Sequence, residues 1–372
     1  MATASSERCP DQHWMARAVR LAAAAFPPPH PNPRVGCVVV RDGRVVAEAA
    51  HERAGGPHAE AAALQAAGGA AAGATAYVTL EPCAHYGRTP PCSRALIDAG
   101  VARVVIGHRD ANPQVAGSGI AQLEAAGIPV REGVLGADAE ALNRGFLRRI
   151  AGGRPWVTVK VAASLDGRTA MASGESRWIT SAAARRDVHR GRAQAAAVVT
   201  GAGTVRADDP RLDARDVAPA VPAERQPLRV VVDPRLSTPP GAALLRAPGP
   251  VLLCHGPHVD SARAEALQAR GAELQALPLA EGGLEPAAVL RALAGREVNE
   301  VWLEAGPTLA GAWVAGGLAD ELLVYTAPHL MGDAAQPLLA LPGIDAMAQR
   351  QPLQFADVRR VGEEIRITAR LV

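Results

Sequence analysis

One stretch of the chain carries the residue types that hydrolytic metal chemistry requires. It contains His58 and Glu60. Farther along it contains Cys83 and Cys92, and each of these two cysteines directly follows a proline. One imidazole and two thiolates suit a zinc ion, and three protein ligands leave the fourth tetrahedral position open, as in catalytic zinc sites. Zinc lowers the pKa of coordinated water to about 7, and Glu60 lies close enough in sequence to move a proton. The pattern therefore predicts hydrolysis at a zinc site.

The His-x-Glu triplet and the Pro-Cys pair resemble the signature of the zinc deaminases, in which the glutamate shuttles a proton. A structural zinc knuckle is the alternative interpretation, although an adjacent acid and an open coordination position have no purpose there. The two cysteines do not follow the usual P-C-x-x-C spacing, because eight residues separate Cys83 from Cys92. The insert must therefore loop out, and we expect it to form one wall of the substrate pocket.

Size and composition indicate an ordinary two-domain enzyme. The chain has 372 residues and a formal net charge of +2, and at about 100 to 200 residues per domain we expect domains over 1–150 and 151–372. The balanced charge, without blocks of like sign, gives no support for a nucleic-acid partner. Scattered cysteines, the lack of a signal-like segment and the lack of a long apolar run predict a cytoplasmic protein without membrane contact. The sequence is compatible with a homo-oligomer.

Apolar runs separated by helical segments predict a layered α/β fold in both halves. Strands are expected at Val35–Val40, Val45–Ala50, Thr75–Leu80, Val104–His108, Ile128–Val130, Trp156–Ala162, Ala196–Thr200, Leu228–Val232, Val251–Cys254, Val301–Glu304 and Leu322–Tyr325. Helices of the first half are expected at Asp11–Phe26, His58–Ala67, Ser93–Ala99, Gly119–Ala126 and Asp138–Ile150. This arrangement places the metal set at helix N-termini, and Cys92 directly precedes such a helix, where the thiolate form is favoured.

Three polar residues near the metal set have more than one interpretation. Asn32 lies between two prolines, where its amide could recognise a heterocycle or could only form a turn. His51 and His85 are candidates for the pocket, but a fourth protein ligand would close the zinc site.

Two glycine-containing turns, Gly201–Thr204 and Gly306–Gly311, each follow a predicted strand of the second half. Glycines at a strand end let backbone N–H groups approach a phosphate. Neither turn matches the full dinucleotide fingerprint, and ordinary turns also contain glycine pairs. Together on one sheet they indicate a nucleotide laid across its carboxyl edge.

Further motifs in this order make the chain similar to the bifunctional deaminase–reductase family of riboflavin biosynthesis. They are the zinc set with Thr89–Cys92, then Lys160–Arg168, Gly174–Thr180 and Gly203–Leu212. The resemblance implies a cytidine-deaminase-like first domain and a second domain with the dihydrofolate-reductase-like fold. It also implies zinc-dependent deamination of 2,5-diamino-6-ribosylamino-4(3H)-pyrimidinone 5′-phosphate, a small phosphorylated pyrimidine, followed by NADPH-dependent reduction of the ribosyl group to ribityl.

The resemblance also implies roles for individual residues. His58, Cys83 and Cys92 would hold Zn²⁺, and Glu60 would be catalytic. The cofactor-binding residues would be Ala162, Trp178, Thr204, Asp208, Pro234, Gly306, Pro307, Thr308, Leu309, Ala310, Gly311 and Ala312. The substrate-binding residues would be Ser176, Arg192, Leu212, Arg215 and Glu304.

Three positions depart from, or stand outside, the expected roles. Pro234 stands where such proteins often have serine, so only its carbonyl and ring could contact the cofactor. Lys160 and Asp166 could handle a proton, but pairing of Lys160 with a carboxylate and turn-capping by Asp166 explain both residues equally well.

Two other classes of protein share parts of this pattern. A tRNA or nucleoside deaminase would have the P-C-x-x-C spacing and no reductase half, and a tRNA enzyme would also have a basic face. A regulator that only senses zinc and a nucleotide would have no need of Glu60.

Overall fold

A computed structural model describes residues 10–84, 90–112 and 116–372. Contacts divide the chain into two compact units, one ending at Gly153 and the other beginning at Arg154. This division lies within residues 151–155, a stretch that contains glycine and proline. The last helix of the first unit extends to Gly152, so the unit ends a few residues after position 150.

The first unit is an α/β layer structure around a five-stranded sheet in the order β2-β1-β3-β4-β5. Its strands are β1 (Gly36–Arg41), β2 (Arg44–Ala50), β3 (Thr75–Leu80), β4 (Arg103–His108) and β5 (Val130–Arg131). Its helices are α1 (Pro10–Ala24), α2 (Ala59–Ala67), α3 (Cys92–Asp98), α4 (Ser118–Ala125), α5 (Gly136–Leu142) and α6 (Arg144–Gly152).

The hairpin and the parallel pairs of this sheet follow from local sequence. Asp42 and Gly43 both have positive φ and let β1 turn tightly into antiparallel β2. The strands β3, β4 and β5 are parallel and are joined by helices. Their apolar residues pack against the helices, with Leu96, Ile106 and Leu123 fully buried between the layers.

The single helix predicted over Asp138–Ile150 is in fact two helices, and the prediction was wrong at Asn143. That residue has φ −119° and separates α5 from α6. Its side-chain oxygen accepts the backbone N–H of Arg34 at 2.8 Å, and its amide group donates to the Arg34 carbonyl at 2.9 Å. This long-range contact outweighs the helical periodicity of the segment.

The second unit contains a nine-stranded sheet in the order β11-β10-β9-β8-β14-β6-β15-β18-β17. The strands of the unit are β6 (Trp156–Ser164), β7 (Arg168–Ala170), β8 (Ala197–Gly201), β9 (Leu228–Val232), β10 (Val251–His255), β11 (Glu273–Ala276), β12 (Leu279–Ala280), β13 (Gly283–Leu284), β14 (Glu300–Leu303), β15 (Glu321–Ala327), β16 (Gln336–Pro337), β17 (Leu353–Val361) and β18 (Glu364–Leu371). Its helices are α7 (Ala182–Gln194), α8 (Ala202–Asp208), α9 (Ala243–Arg246), α10 (Ser261–Gln268), α11 (Pro286–Gly295) and α12 (Pro307–Ala315).

The six predicted strands of this half all lie in the parallel part of the sheet, from β10 to β15. Valine- and leucine-rich runs mark them because both faces are covered. The antiparallel pair β17 and β18 was not predicted. Most residues of β17 are exposed, with Phe355 69% accessible, so the strand has no apolar run to reveal it. Within the described chain, no helix combines the length and apolar character needed to cross a membrane.

A buried imidazole helps to fix α7 against the loop that follows α8. His189 is 7% exposed, and its Nδ1 lies 3.2 Å from the carbonyl oxygen of Asp213, to which it donates. Burial lowers the pKa of His189 to about 4 from 6.5, and the nearby charges of Arg192 and Arg215 act in the same direction. The folded protein therefore holds this side chain neutral.

We expect the second unit to lose stability as the pH falls from 6.5 towards 4. In that window the unfolded state binds a proton at residue 189 that the folded state does not bind, so acid favours unfolding. The full effect is about 3 kcal/mol, at about 1.36 kcal/mol per pKa unit. Urea unfolding followed by tryptophan fluorescence measures it, since all tryptophans except Trp14 lie in this unit.

His189→Asn is the matched variant, because its amide can still donate to the Asp213 carbonyl but does not titrate. Its unfolding free energy should fall less than that of the unsubstituted protein between neutral pH and about pH 5. Equal losses in the two proteins would contradict the prediction.

Candidate functional site

The structure brings the three predicted metal ligands of the first unit together. His58 is the N-cap of α2, Cys92 is the first residue of α3, and Cys83 lies just beyond the end of β3. Their ligand atoms all lie within 4.8 Å of one another. Nδ1 of His58 is 3.2 Å from the sulfur of Cys92 and 3.6 Å from that of Cys83.

These separations fit a tetrahedral zinc ion. Zinc–nitrogen bonds of about 2.05 Å and zinc–sulfur bonds of about 2.3 Å place tetrahedral N and S ligands about 3.5 Å apart. One nitrogen and two sulfurs are also the donor types that zinc prefers. The residues present therefore fit the ion, and with three protein ligands they leave one coordination position for water.

The protonation of the two thiols is linked. A hydrogen bond from the Cys92 thiol, together with that residue's backbone N–H at 3.3 Å and His58, lowers the pKa of Cys83 to about 4. The neighbouring Cys83 thiolate and burial raise the pKa of Cys92 well above its ordinary value. The site thus stabilises one thiolate before any cation is bound, and a metal ion would favour the second.

Glu60 lies in the second position of α2 and is only 3% exposed. Burial raises the pKa of Glu60 to about 7. Its carboxyl group interacts with the Cys92 thiol, so it faces the ligand set without being a member of it. A carboxyl group that exchanges its proton near neutral pH is suited to general acid–base catalysis.

Asn32 forms the turn that was one of the two roles predicted for it. Its backbone N–H closes a turn onto the Pro29 carbonyl at 2.9 Å. Its side-chain nitrogen lies 3.0 Å from Nε2 of His51, while Nδ1 of His51 lies 2.9 Å from the Pro57 carbonyl. Nδ1 must therefore carry the proton, and Nε2 accepts from the amide. This fixes the Asn32 amide with its oxygen directed away from His51.

His51 is not part of the ligand set, although its ring packs edge-to-face on His58 with centroids 5.3 Å apart. Its position next to a ligand, 2% exposed, makes it a supporting residue of the pocket. His85 and the part of the insert at 85–89 lie outside the described residues.

A residue that the sequence did not single out positions Cys83. Glu81 is 4% exposed, and its carboxylate accepts backbone N–H groups of Gly117 and Gly119, both at 3.0 Å. A Cβ atom on Gly119 would lie 2.0 Å from the Pro82 carbonyl oxygen, so only glycine allows this approach. The start of α4 and the segment from Glu81 to Cys83 are therefore locked together. No local pattern reveals this, because the partners lie more than thirty residues apart.

In the second unit, Glu304 and Arg192 form a largely buried pair at the end of β14, with side chains 13% and 11% exposed. Nε and Nη2 of Arg192 donate to the two carboxylate oxygens at 2.5 and 2.9 Å, and the Trp302 indole N–H donates at 2.9 Å. Burial opposes ionisation of Glu304, but Arg192 and Lys160 outweigh it and lower the pKa of Glu304 to about 2. Two predicted substrate residues thus meet as charged partners.

Asp213, which the sequence did not indicate, connects the substrate candidates Arg192 and Arg215. It is 2% exposed and accepts hydrogen bonds from Arg215 at 2.5 Å and from Arg211 at 2.7 Å. Its carbonyl also accepts from Arg192 at 3.2 Å. Leu212, between Arg211 and Arg215 in sequence, is 1% exposed and packs in the core. The structure therefore brings Arg192, Leu212 and Arg215 into one neighbourhood.

The predicted cofactor residues lie at the carboxyl ends of neighbouring parallel strands. Pro234 follows β9, Thr204 and Asp208 lie on α8 after β8, Gly306 follows β14, and Ala162 lies on β6. These four strands are adjacent in the order β9-β8-β14-β6 and are parallel. Their carboxyl ends share one edge, where open α/β sheets bind ligands.

Trp178 is 69% exposed beside this group. The guanidinium of Arg185 lies 4.4 Å from its ring centroid, which presents the indole as a stacking surface. Ser176, two residues earlier, donates to Asp208 at 3.4 Å and so connects a predicted substrate residue to a predicted cofactor residue.

The stretch from Gly306 to Ala312 was predicted as a turn, and this was wrong for most of its length. Helix α12 begins at Pro307, so only Gly306 lies in the turn. Ala310 and Gly311 are buried, and a Cβ on Gly311 would lie 2.0 Å from the Ala340 carbonyl oxygen. Gly306, Thr308 and Ala312 are the exposed members that could face a ligand.

Lys160 and Asp166 have the structural partners that the sequence allowed. Nζ of Lys160 lies 3.8 Å from Glu304. Asp166 accepts the Ser164 hydroxyl and the backbone N–H of Gly332, the latter at 2.8 Å. These bonds, with that from Ser164 the largest contribution, lower the pKa of Asp166 to about 2. Asp166 therefore caps a loop, and Lys160 pairs with the substrate-site carboxylate.

Residues 9–108 match the family model of the cytidine and deoxycytidylate deaminase zinc-binding region. Residues 155–367 match the RibD C-terminal domain. The predicted fold class is thereby confirmed, with a cytidine-deaminase-like first domain and a RibD-type reductase domain second. The zinc-binding model also agrees with the geometry of the ligand set.

Full-length relatives contain both domains. The chain is 47% identical to the riboflavin biosynthesis protein RibD of Escherichia coli over 363 residues, covering 95% of this chain and 98% of that protein. It is 44% identical to RibD of Mycobacterium tuberculosis over 340 residues, covering 90% of each.

Solved structures show the same architecture. Acinetobacter baumannii RibD is 42% identical, with a TM-score of 0.89 over 98% of this chain and 99% of that one. A diaminohydroxyphosphoribosylaminopyrimidine deaminase/5-amino-6-(5-phosphoribosylamino)uracil reductase from Thermotoga maritima is 31% identical, with a TM-score of 0.84 over 98% and 99% of the two chains. By the match of both domains over nearly its whole length, the chain belongs to the RibD family of riboflavin biosynthesis proteins, in which a zinc-binding deaminase domain and a reductase domain share one polypeptide.

Proposed function

We propose that this protein catalyses two consecutive steps of riboflavin biosynthesis. The first unit hydrolytically deaminates 2,5-diamino-6-ribosylamino-4(3H)-pyrimidinone 5′-phosphate, and the second reduces the ribosyl side chain with NADPH to give 5-amino-6-(5-phospho-D-ribitylamino)uracil. The observation that carries the proposal is the convergence of His58, Cys83 and Cys92 beside a buried Glu60, in a chain with both domains of the family.

In the first unit, His58, Cys83 and Cys92 would hold zinc. When bound, the ion supplies an activated water for attack on the amine-bearing ring carbon. Glu60 would take up a proton from the attacking water, deliver it to the neighbouring ring nitrogen and then assist departure of ammonia. The amide of Asn32, held by neutral His51, presents its oxygen to an N–H of the pyrimidine.

In the second unit, the side chains bind and orient rather than donate protons. NADPH supplies a hydride, which requires mainly that the nicotinamide lie close to the electrophilic carbon of the opened ribosyl group. Trp178 offers a stacking surface to the cofactor. Arg192 and Arg215 offer cationic donors to the phosphorylated substrate, and Glu304 holds Arg192 in place.

A cytoplasmic location is part of the proposal. Cys83 and Cys92 serve as metal ligands only while they are reduced, and the cytosol keeps thiols in that state. The four cysteines in the described residues are all free.

Replacing Glu60 with Gln is expected to reduce ammonia release about a hundredfold to ten-thousandfold, because the amide cannot shuttle a proton. NADPH oxidation with the deaminated compound as substrate should remain within about twofold of normal, since Glu60 lies in the first unit. Zinc content, measured in the same preparation, controls for loss of the metal. Unchanged ammonia release would instead support a protein that only senses its ligands.

Removal of zinc with a chelator should abolish ammonia release and leave NADPH oxidation of the deaminated compound intact. The ligand set lies wholly in the first unit, and re-addition of zinc should restore the activity. Metal analysis should find one zinc ion per chain. Loss of both activities on chelation would contradict this assignment.

Trp178→Ala is expected to raise KM for NADPH about threefold to tenfold, the size of one aromatic stacking contact. Because the indole is 69% exposed, its removal should leave the unfolding midpoint unchanged. Trp178→Phe keeps a ring and should show a smaller change. An unaltered KM in the alanine variant would remove this residue from the cofactor site.

A further inference from the structure

The loop after β9 contains a carboxylate saturated by its own neighbours. Asp233 is 1% exposed, and one of its oxygens accepts the backbone N–H and hydroxyl of Ser237 at 2.9 and 3.0 Å. The other accepts the backbone N–H and hydroxyl of Thr238, both at 2.7 Å. A carboxylate offers about four lone-pair sites, so its capacity is filled and the loop is held rigidly.

Arg206, on the helix α8 that follows the neighbouring strand β8, forms a hydrogen bond with this loop. Because the Ser237 hydroxyl donates to Asp233, its lone pairs are left to accept, and Nη1 of Arg206 donates to it. Arg206 is exposed. Among the residues that the structure describes, no carboxylate lies within 4.0 Å of its guanidinium, which therefore carries an unneutralised charge with most of its five donors available.

The nearest acidic residues in sequence are engaged elsewhere. Asp208 accepts the hydroxyl of Ser176, and Asp209 accepts the backbone N–H of Ala243 at 2.7 Å. Neither forms an ion pair with Arg206. The hydrogen bond to Ser237 thus holds the positive charge of Arg206 near the carboxyl ends of β8 and β9.

The order of the strands decides which part of NADPH would meet that charge. The edge runs β9, β8, β14, β6, and the substrate candidate Glu304, which is paired with the substrate candidate Arg192, directly follows β14. The nicotinamide has to face the substrate, so it lies over β14 and β6. A dinucleotide extended along the edge then places its adenosine half over β8 and β9, where Arg206 and Ser237 lie.

We propose that Arg206, held by Ser237, binds the adenosine 2′-phosphate of NADPH and makes the reductase select NADPH over NADH. The inference rests on the proposed reductase function. A guanidinium fork matches the geometry of a phosphate dianion and forms charge-assisted hydrogen bonds with it. NADH presents a neutral ribose hydroxyl at the same place, so the arginine contributes little to its binding.

Steady-state kinetics with both cofactors test the proposal. Arg206→Met should lower kcat/KM for NADPH about tenfold to hundredfold, the range for a lost charge-assisted hydrogen bond. The value for NADH should stay within about twofold. Arg206→Lys keeps the charge and should lose less than Arg206→Met, and Ser237→Ala, which releases the guanidinium, should fall between Met and the unsubstituted protein.

Arg359→Met is the matched control, because it removes an exposed arginine from β17, at the opposite end of the same sheet. It should leave both cofactors unaffected. Calorimetric binding of 2′,5′-ADP and of 5′-AMP provides a readout without turnover, and Arg206→Met should weaken only the former.

Equal changes for NADPH and NADH, or none for either, would overturn the role of Arg206. An unsubstituted protein that oxidises neither cofactor with the deaminated substrate would instead refute the proposed reductase function. The two failures are therefore distinguishable.

Discussion

Parallel strand pairing is the constraint on which the rest of the structure depends. Parallel strands end at the same edge of a sheet, so residues far apart in sequence meet there without being neighbours in the chain. In the first unit the end of β3 leads directly into Glu81 and Cys83. In the second unit the ends of β9, β8 and β14 carry the predicted cofactor residues, and Glu304 follows β14. Each candidate site is thus built from loops on a rigid scaffold.

Burial alone does not determine the chemical role of a glutamate side chain, as Glu60 and Glu304 show. Before any metal ion is bound, burial raises the pKa of Glu60 to about 7, where a proton can be exchanged. Glu304, whose side chain is 13% exposed, faces Arg192 and Lys160, and its pKa falls to about 2, so it remains a fixed anion. The first is suited to transferring protons, and the second to holding an arginine in place. Removing either partner of the Glu304 pair would leave a buried charge uncompensated.

The zinc ligands could be predicted because the residue types themselves indicate metal binding. The parallel strands could be predicted because both of their faces bury apolar side chains. What could not be predicted depends on distant partners. Asn143 interrupts a helical pattern only because Arg34 takes up its amide. The roles of Glu81 and Asp213 depend on contacts with residues distant in sequence, which no local spacing reveals. The exposed strand β17 has no apolar run at all, and only its pairing with β18 defines it. The helical start of α12 at Pro307 was missed because glycine–proline pairs also mark turns.

The contact between Asn143 and Arg34 has a consequence for synthesis on the ribosome. It joins residues 109 positions apart, and Asp11 likewise holds Arg131 across 120 positions at 2.6 Å. The three metal ligands therefore leave the ribosome well before the residues that close the first unit around them. Such long-range closure is slow to form, so we expect these thiols to be exposed to solvent and cellular metal during translation. The nascent chain would acquire its protected deaminase core only after α6 has emerged.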